Sequence, residues 1–531
     1  MLTLGLHSLG HDTGVSLWDR GELLFAMETE RLTRVRYESR VEAAIEALRE
    51  NSEFDPACVG RIVSSSPFHR GIIDVPDADV AERALTKERQ HHHNTFSHMF
   101  GRKIPCTIVS HEVSHAVLAL QEAGWRDRTL VLVNEGRGVF SRNALYFYSN
   151  DHLELLNWNL LSWFATGFGW SSIGYLVGLG KSPGVAGKAM ALGGFQEPGN
   201  REREALIQVR PEIAQLGEDD RVHEGHKLIQ RLGSLQDFDA KCRLVSALQS
   251  LFVEEIVHKI CSAARQNSAQ AVALSGGCGL NIVANSALRE ALQVPLFVPA
   301  ACNDSGQALG AAIYAQAFID GVKPKPSSMY AIGAPITSDG AQAYLDRKGF
   351  DSTEATPKRV ARLLAEGKVI ALAQGRSEIG PRALGNRSIL ADPNAQDIKV
   401  RVSERLKGRE SFRPLAPIMR DETFARVLPG NLPSPAMLFN FNVKGLGFGD
   451  AAHVDDTARI QTVSSTSNPF VHALLAEFED LSPSPALINT SLNSGGRPIC
   501  LTEQHVFDDF PAGTVDAYVL GDRLVLAQQG L

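Results

Sequence analysis

Ser110-His111-Glu112-Val113-Ser114-His115-Ala116 is open to two readings that imply different architectures. His111 and His115 are four residues apart, so on a helix they share one face and can hold one metal ion. The same residues spell H-E-x-x-H, in which Glu112 would be the general base of a zinc peptidase. The surrounding chain separates the two. Residues 130–133 form a Val/Leu-rich strand that ends at Asn134-Glu135-Gly136-Arg137-Gly138, and residues 143–148 return as a second strand. Glu135 stands where a third peptidase ligand could be. Peptidases of that type carry the glutamate on a helix, whereas here it closes a β run beside glycines. The peptidase reading is therefore set aside. The His pair is read as holding a metal for another reaction, within an α/β chain.

The bulk numbers set bounds. A chain of 531 residues is too long for one ordinary domain and suggests two or three. Hydrophobic residues make up 44% and charged residues 21%, which fits a soluble globular protein. A net charge of -7 argues against a basic nucleic-acid footprint. No apolar run reaches about 18 residues, so no membrane span is expected. The first residues lack a basic segment followed by an apolar core, so no signal peptide is expected. The seven cysteines are dispersed without a C-x-x-C pair, which fits free thiols in a reducing cytoplasm.

In chain order, residues 2–9 and 15–18 read as strands around Gly10-His11-Asp12-Thr13-Gly14. The turn puts His11 and Asp12 at its tip and can offer backbone N–H groups to a phosphate; the plain alternative is a hairpin turn. A helix is expected near 40–50. His91-His92-His93 and His98 read as a solvated loop or helix face rather than a metal cluster. Lys188, on a glycine-rich loop, suits either a phosphate contact or a packed turn. Strand 271–274 leads through Ser275-Gly276-Gly277-Cys278-Gly279-Leu280-Asn281 into a helix, a generic nucleotide-phosphate arrangement. Asp304 reads locally as a helix N-cap. Pro324, Pro326, Pro335 and Pro357 mark a domain boundary. Beyond it, residues 375–393 carry Arg376, Arg382 and Arg387 among glycines. Lys407, Arg409, Arg413 and Arg459 follow, with Asn489, Ser491 and Asn493. Turn-embedded arginines in this number suit a bound anion, with structural ion pairing as the alternative.

These motifs, in this order and in both halves, resemble the antibiotic and Nod-factor O-carbamoyltransferases, the group of the tobramycin, cephamycin and geldanamycin carbamoylating enzymes. The resemblance runs almost end to end. It implies an α/β protein with two domains. Residues 1–335 would be an actin/Hsp70-like, threonylcarbamoyl-transferase-like domain that transfers the carbamoyl group. Residues 336–531 would be a YrdC-like α/β domain that forms carbamoyl adenylate from carbamoyl phosphate and ATP. The acceptor would be a hydroxyl of a small molecule, with AMP left behind.

Residue by residue, the resemblance makes His11 and Asp12 the catalytic pair, with His11 placed to deprotonate the acceptor hydroxyl. It makes His111, His115 and Asp304 the ligands of a divalent metal, Fe(II) with Mg(II) as the alternative. Gly136, Lys188, Gly276, Gly277 and Asn281 would meet the nucleotide. Arg382, Lys407, Arg413, Arg459 and Ser491 would hold carbamoyl phosphate. An ATP-dependent cytoplasmic carbamoyltransferase (EC 2.1.3.-) follows, without nucleic-acid or membrane partners and with a homodimer as the assembly carried forward. Three positions depart from the pattern. Glu135 precedes Gly136 where relatives read Asp-Gly, Ala186-Gly187-Lys188 replaces Glu-Gly-Lys, and the segment at Arg497 lacks the common Glu-Pro form. The runner-up is the zinc peptidase built on His111-Glu112-x-x-His115, which leaves the arginine-rich second half without a role, and the third reading is a nucleotide-binding regulatory protein without transfer activity. Residues 60–100 and 200–265, where acceptor contacts would vary, do not select an acceptor.

Overall fold

In the computed structural model, which describes residues 2–8, 10–50, 54–66, 78–136, 138, 140–180, 184–208, 232, 235–325, 330–511 and 513–527, the apolar runs become strands at or beside their expected places. Arg137, residues 67–77 within 60–100, and residues 209–231, 233 and 234 within 200–265 lie outside the described residues. The chain divides into two units, Met1–Leu23 with Leu48–Pro326, and Leu24–Ala47 with Ser327–Leu531.

The first unit has two sheets. β1 (Leu2–His7), β2 (Gly14–Asp19), β3 (Glu22–Glu28), β4 (Val59–Ser64), β5 (His92–Met99) and β6 (Arg102–Val109) pair in the order β3-β2-β1-β4-β6-β5. β3 carries the chain out of this unit. β7 (Thr129–Asn134), β8 (Asn143–Ser149), β9 (His152–Trp158), β10 (Ala271–Ser275) and β11 (Leu296–Phe297) pair in the order β11-β10-β7-β8-β9. In each sheet the first strand pairs antiparallel with the second and parallel with the fourth. The two sheets thus repeat one topology, with β6 standing where β11 does, parallel to the fourth strand, and β5 is an addition to the first. Of the residues expected to be a polar loop or helix, His92, His93 and His98 lie in strand β5, paired residue for residue with β6, and His91 precedes it. Alternation of half-buried and exposed positions there is a period of two, which the histidine run masks.

Every residue of β7 and of β10 is buried. Strands covered on both faces read as continuous apolar runs, which is why both were legible. α1 (His111–Glu122) packs on β7 and β10, and α2 (Gln307–Tyr314) on β1 and β2. The two helices touch at Gly310, where any side chain would strike the Ser114 carbonyl. His7, Ser65, Glu135 and Ser275 stand at or just past the carboxyl ends of β1, β4, β7 and β10. Chain ends of parallel strands are where α/β sheets collect ligands.

The second unit is built on an eight-stranded sheet. Its order is Thr353–Glu354, Arg523–Leu526, Ala517–Leu520, Ile370–Ala373, Arg387–Ala391, Leu487–Ser491, Ala416–Arg420 and Gln461–Val463. Side chains alternate between two cores. Ile370 and Leu372 pack with Val360, Leu364, Leu474 and Phe478, while Ala371 and Ala373 face Tyr344, Leu345 and Val506. The helix expected near 40–50 forms at Glu42–Glu50. Residues 24–47 are clasped to this unit by three charged side chains. Arg34 donates to Asp509 (2.6 Å) and to the carbonyls of Pro498 and Ile499. Arg31, 3% exposed, donates to Glu28 and to the Gly380 carbonyl, and Glu28 accepts from Gly380 N.

Candidate metal and anion sites

The His pair on α1 points from one face toward the ends of β7 and β10. His115 Nε2 lies 2.7 Å from Glu135 Oε1 and 3.3 Å from Asp304 Oδ1, and His111 Nε2 lies 3.5 Å from Asp304 Oδ1. Ligand atoms of His111, His115, Glu135 and Asp304 all fall within 4.8 Å of one another. Asp304 is not the N-cap its local sequence suggests; its carboxylate is turned to the imidazoles. Glu135, set aside on sequence grounds, joins the cluster because β7 lies parallel to β10 and stops beside α1. An acid closing a buried apolar run next to a glycine was the available signal.

Charge follows the geometry. Burial drives the His115 imidazole down, but Glu135 and Asp304 outweigh it and hold it up at about 9. Burial would raise Asp304, but His111, His115, His11 and His7 keep its carboxyl well below the usual range. His11 Nδ1 is 3.1 Å from Asp12 Oδ2, which also accepts from Asn303 Nδ2 at 2.9 Å. Burial lowers His11, while the Asp12 hydrogen bond and the charges of Asp304, Asp12 and Glu135 raise it to about 9. His7, which the sequence did not single out, is buried at the end of β1, and burial lowers it to about 4.

Around this cluster the expected nucleotide residues divide. Gly276 has φ +90°, and its N–H donates to the Cys302 carbonyl. A side chain there would strike the backbone of Asn134. Gly277 N donates to Glu135 Oε1 (2.8 Å), and Gly136 follows the same glutamate. Asn281 instead caps helix Ile282–Ala291, accepting from Ala284 N. Lys188 is carried on helix Val185–Leu192 and is not among the residues gathered at the cluster.

Glu112 has a different occupation. Its Oε1 accepts from the N–H groups of Phe140 (2.9 Å) and Ser141 (3.2 Å), and its Oε2 from the Ser110 hydroxyl (2.8 Å). With both oxygens committed to the β7–β8 turn and to the start of α1, it is a structural clasp rather than a peptidase base. Glu112→Ala is expected to cost about 1–3 kcal/mol of stability, since the N–H groups of half-buried Phe140 and buried Ser141 lose their acceptor. Thermal or urea unfolding measures it; an unchanged midpoint contradicts the clasp.

The second unit gathers cations instead. Burial, then Arg382, Arg409 and Arg413, push Arg459 well below its ordinary range, and its buried Nε has no hydrogen-bond partner. Burial and the charges of Arg413, Arg382 and Arg36 bring Arg409 to about 9. Burial also lowers Arg413, which lies 3.6 Å from Glu410. Arg409 Nη1 donates to Thr490 (3.1 Å), at the strand end that carries Ser491. Arg36, from the clasped segment 24–47, belongs to this set and was not anticipated. Lys407 lies beside it, lowered by burial and by the charges of Arg409 and Arg413, and its Nζ reaches the Ser491 hydroxyl at 3.2 Å. Its Nζ donates to the Ser491 carbonyl, to Asn493 O (2.9 Å) and to Asn493 Oδ1 (2.7 Å), so its protons are spent holding the Ser491–Asn493 turn. Buried like charges that repel one another are stabilised by a bound anion.

Known proteins give the arrangement a family. Residues 93–313 match the family model described as carbamoyltransferase N-terminus, and residues 361–527 the one described as carbamoyltransferase C-terminus. The 3'-hydroxymethylcephem-O-carbamoyltransferase of Streptomyces clavuligerus is 30% identical over 503 residues, 92% of each chain. That of Amycolatopsis lactamdurans is 30% identical over 506 residues, again 92% of each. Nodulation protein U of Sinorhizobium fredii is 39% identical over 234 residues, 43% of this chain and 40% of that protein. Similarity at that level along nine-tenths of both chains leaves one conclusion: this chain belongs to the carbamoyltransferase family.

Proposed function

We propose that the protein is an ATP-dependent O-carbamoyltransferase acting in two steps on a small-molecule hydroxyl acceptor. The observation that carries the reading is the buried, mutually repelling arginine cluster beside Ser491, which suits a compact dianion such as carbamoyl phosphate. In this reading Arg36, Arg382, Arg409, Arg413 and Arg459 take the phosphate, Ser491 donates its hydroxyl, and Lys407 positions Ser491. Carbamoyl phosphate and ATP give carbamoyl adenylate, phosphate and pyrophosphate, and the balance requires one water. This step belongs to the YrdC-like part, residues 336–531 with the clasped segment. Transfer belongs to the part within 1–335, an actin/Hsp70-like fold supported by the duplicated strand order. There His11 takes the proton of the acceptor hydroxyl and AMP leaves.

The residues present fit a divalent cation. Both ring nitrogens of His111 are buried without a hydrogen bond, and two imidazoles facing two carboxylates suit Fe(II) better than Mg(II). His111, His115, Glu135 and Asp304 would hold it. The cation would bind a nucleotide phosphate and offset the acids that keep His11 protonated. Gly276 and Gly277 leave the backbone open to the nucleotide. Glu135→Gln is expected to weaken Fe(II) or Mn(II) binding by at least about 10-fold in a chelator competition; unchanged affinity removes Glu135 from the ligand set.

Purified protein given carbamoyl phosphate, ATP, a divalent metal and a panel of hydroxyl acceptors, beginning with a 3'-hydroxymethylcephem, tests the function. An acceptor gaining one carbamoyl group in mass, with AMP formed, is the expected result. Carbamoylated product without AMP would overturn the adenylate route.

A further inference from the structure

We infer that His7 is a positioning residue, which fixes the backbone of the His11 turn through a hydrogen-bond relay that starts at Ser65. The inference rests on the transfer role proposed for His11. His7 ends β1 and Ser65 follows β4; the two strands are parallel neighbours, and Ser65 N also donates to the Leu6 carbonyl at 3.1 Å. Both residues are buried, His7 at 1% and Ser65 at 0% exposure. His7 Nδ1 is 2.8 Å from Ser65 Oγ, and His7 Nε2 is 3.2 Å from the carbonyl of His11.

A carbonyl oxygen can only accept, so Nε2 carries the proton and donates it. In the neutral ring Nδ1 is then a lone pair and accepts the Ser65 hydroxyl proton. One tautomer satisfies both contacts, and both nitrogens are spent. His7 therefore has no nitrogen left for a metal or a substrate, although its ring centroid lies 6.0 Å from that of His111. Its task is geometric. The His11 side chain is 39% exposed and its Nδ1 meets Asp12 of the same turn at 3.1 Å, so packing alone does not hold it. The turn does, and it includes Asp12 at φ 57°, a conformation that needs outside support. A general base displaced by about 1 Å can lose on the order of 100-fold in rate.

The test uses full-length protein labelled with 15N-histidine, as wild type, His7→Phe, His7→Gln and Ser65→Ala. NMR of the wild type should find His7 neutral, with its proton on Nε2. Phe cannot donate; the Gln side-chain amide can donate where Nε2 does. His7→Phe should shift and broaden the His11 ring signals. It should also lower carbamoyl transfer about 100-fold at an unchanged KM for the acceptor, while His7→Gln keeps the His11 signals and transfers within about 5-fold of wild type. If His7→Phe does not fold, Ser65→Ala, which frees the tautomer, should still disturb the His11 signals. A proton on Nδ1, unperturbed His11 signals in both His7→Phe and Ser65→Ala, or equal losses with Phe and Gln would overturn the inference. Carbamoyl-phosphate-dependent exchange of pyrophosphate into ATP should be the same in all four proteins. Its absence from wild type would overturn the two-step reading instead, with the NMR comparison still judging His7.

Discussion

Arg459→Met should abolish carbamoyl-phosphate-dependent pyrophosphate exchange, by on the order of 10²–10³-fold, and at the same time make the ligand-free protein more stable. The two effects share a cause. Arg459 is depressed by burial and by Arg382, Arg409 and Arg413, and among the described residues no carboxylate relieves it. Without an anion the cluster is a stored cost, and removing one buried like charge relieves it by roughly 1–4 kcal/mol. With carbamoyl phosphate bound, the same guanidinium supplies charge-assisted hydrogen bonds that methionine cannot. Inorganic phosphate should therefore raise the melting temperature of wild type more than that of the variant. A variant that melts lower and binds phosphate equally well would mean that Arg459 is a structural ion-pair member.

His11→Ala should lower carbamoyl transfer by about 10²–10⁴-fold while leaving pyrophosphate exchange at the wild-type rate. Burial lowers the imidazole, but its hydrogen bond to Asp12 and the nearby charges of Asp304, Asp12 and Glu135 outweigh burial and raise it to about 9. Since a base must be neutral to work, transfer near neutral pH should depend on the divalent cation even where nucleotide still binds, and the activity left after chelation should appear only at higher pH. Loss of exchange with retained transfer in His11→Ala would reverse the roles assigned to the two units.

Local chemistry was legible where it was carried by short spacings. The i,i+4 pair His111 and His115, the strand–glycine–helix run at Gly276-Gly277 and the arginines after 375 could be read directly. What could not be read is what the topology brings together from far apart. Glu135 enters the cluster only because β7 and β10 are parallel neighbours. Arg36 reaches the anion cluster because residues 24–47 belong with the second unit, an excursion with no compositional mark. Lys407 reads as one more phosphate cation, and its contacts with Ser491 and Asn493 have no mark in the sequence. Asn281 likewise resolves into a helix cap, and β5 hides its period of two behind histidines.

The most direct measurement of the central claim needs no acceptor. Labelled pyrophosphate is incubated with the protein, ATP and carbamoyl phosphate, and label entering ATP is followed. Two-step carbamoyl transfer predicts exchange that depends on carbamoyl phosphate and disappears in Arg459→Met but persists in His11→Ala. Acceptor carbamoylation by wild-type protein with no pyrophosphate exchange at all would contradict it.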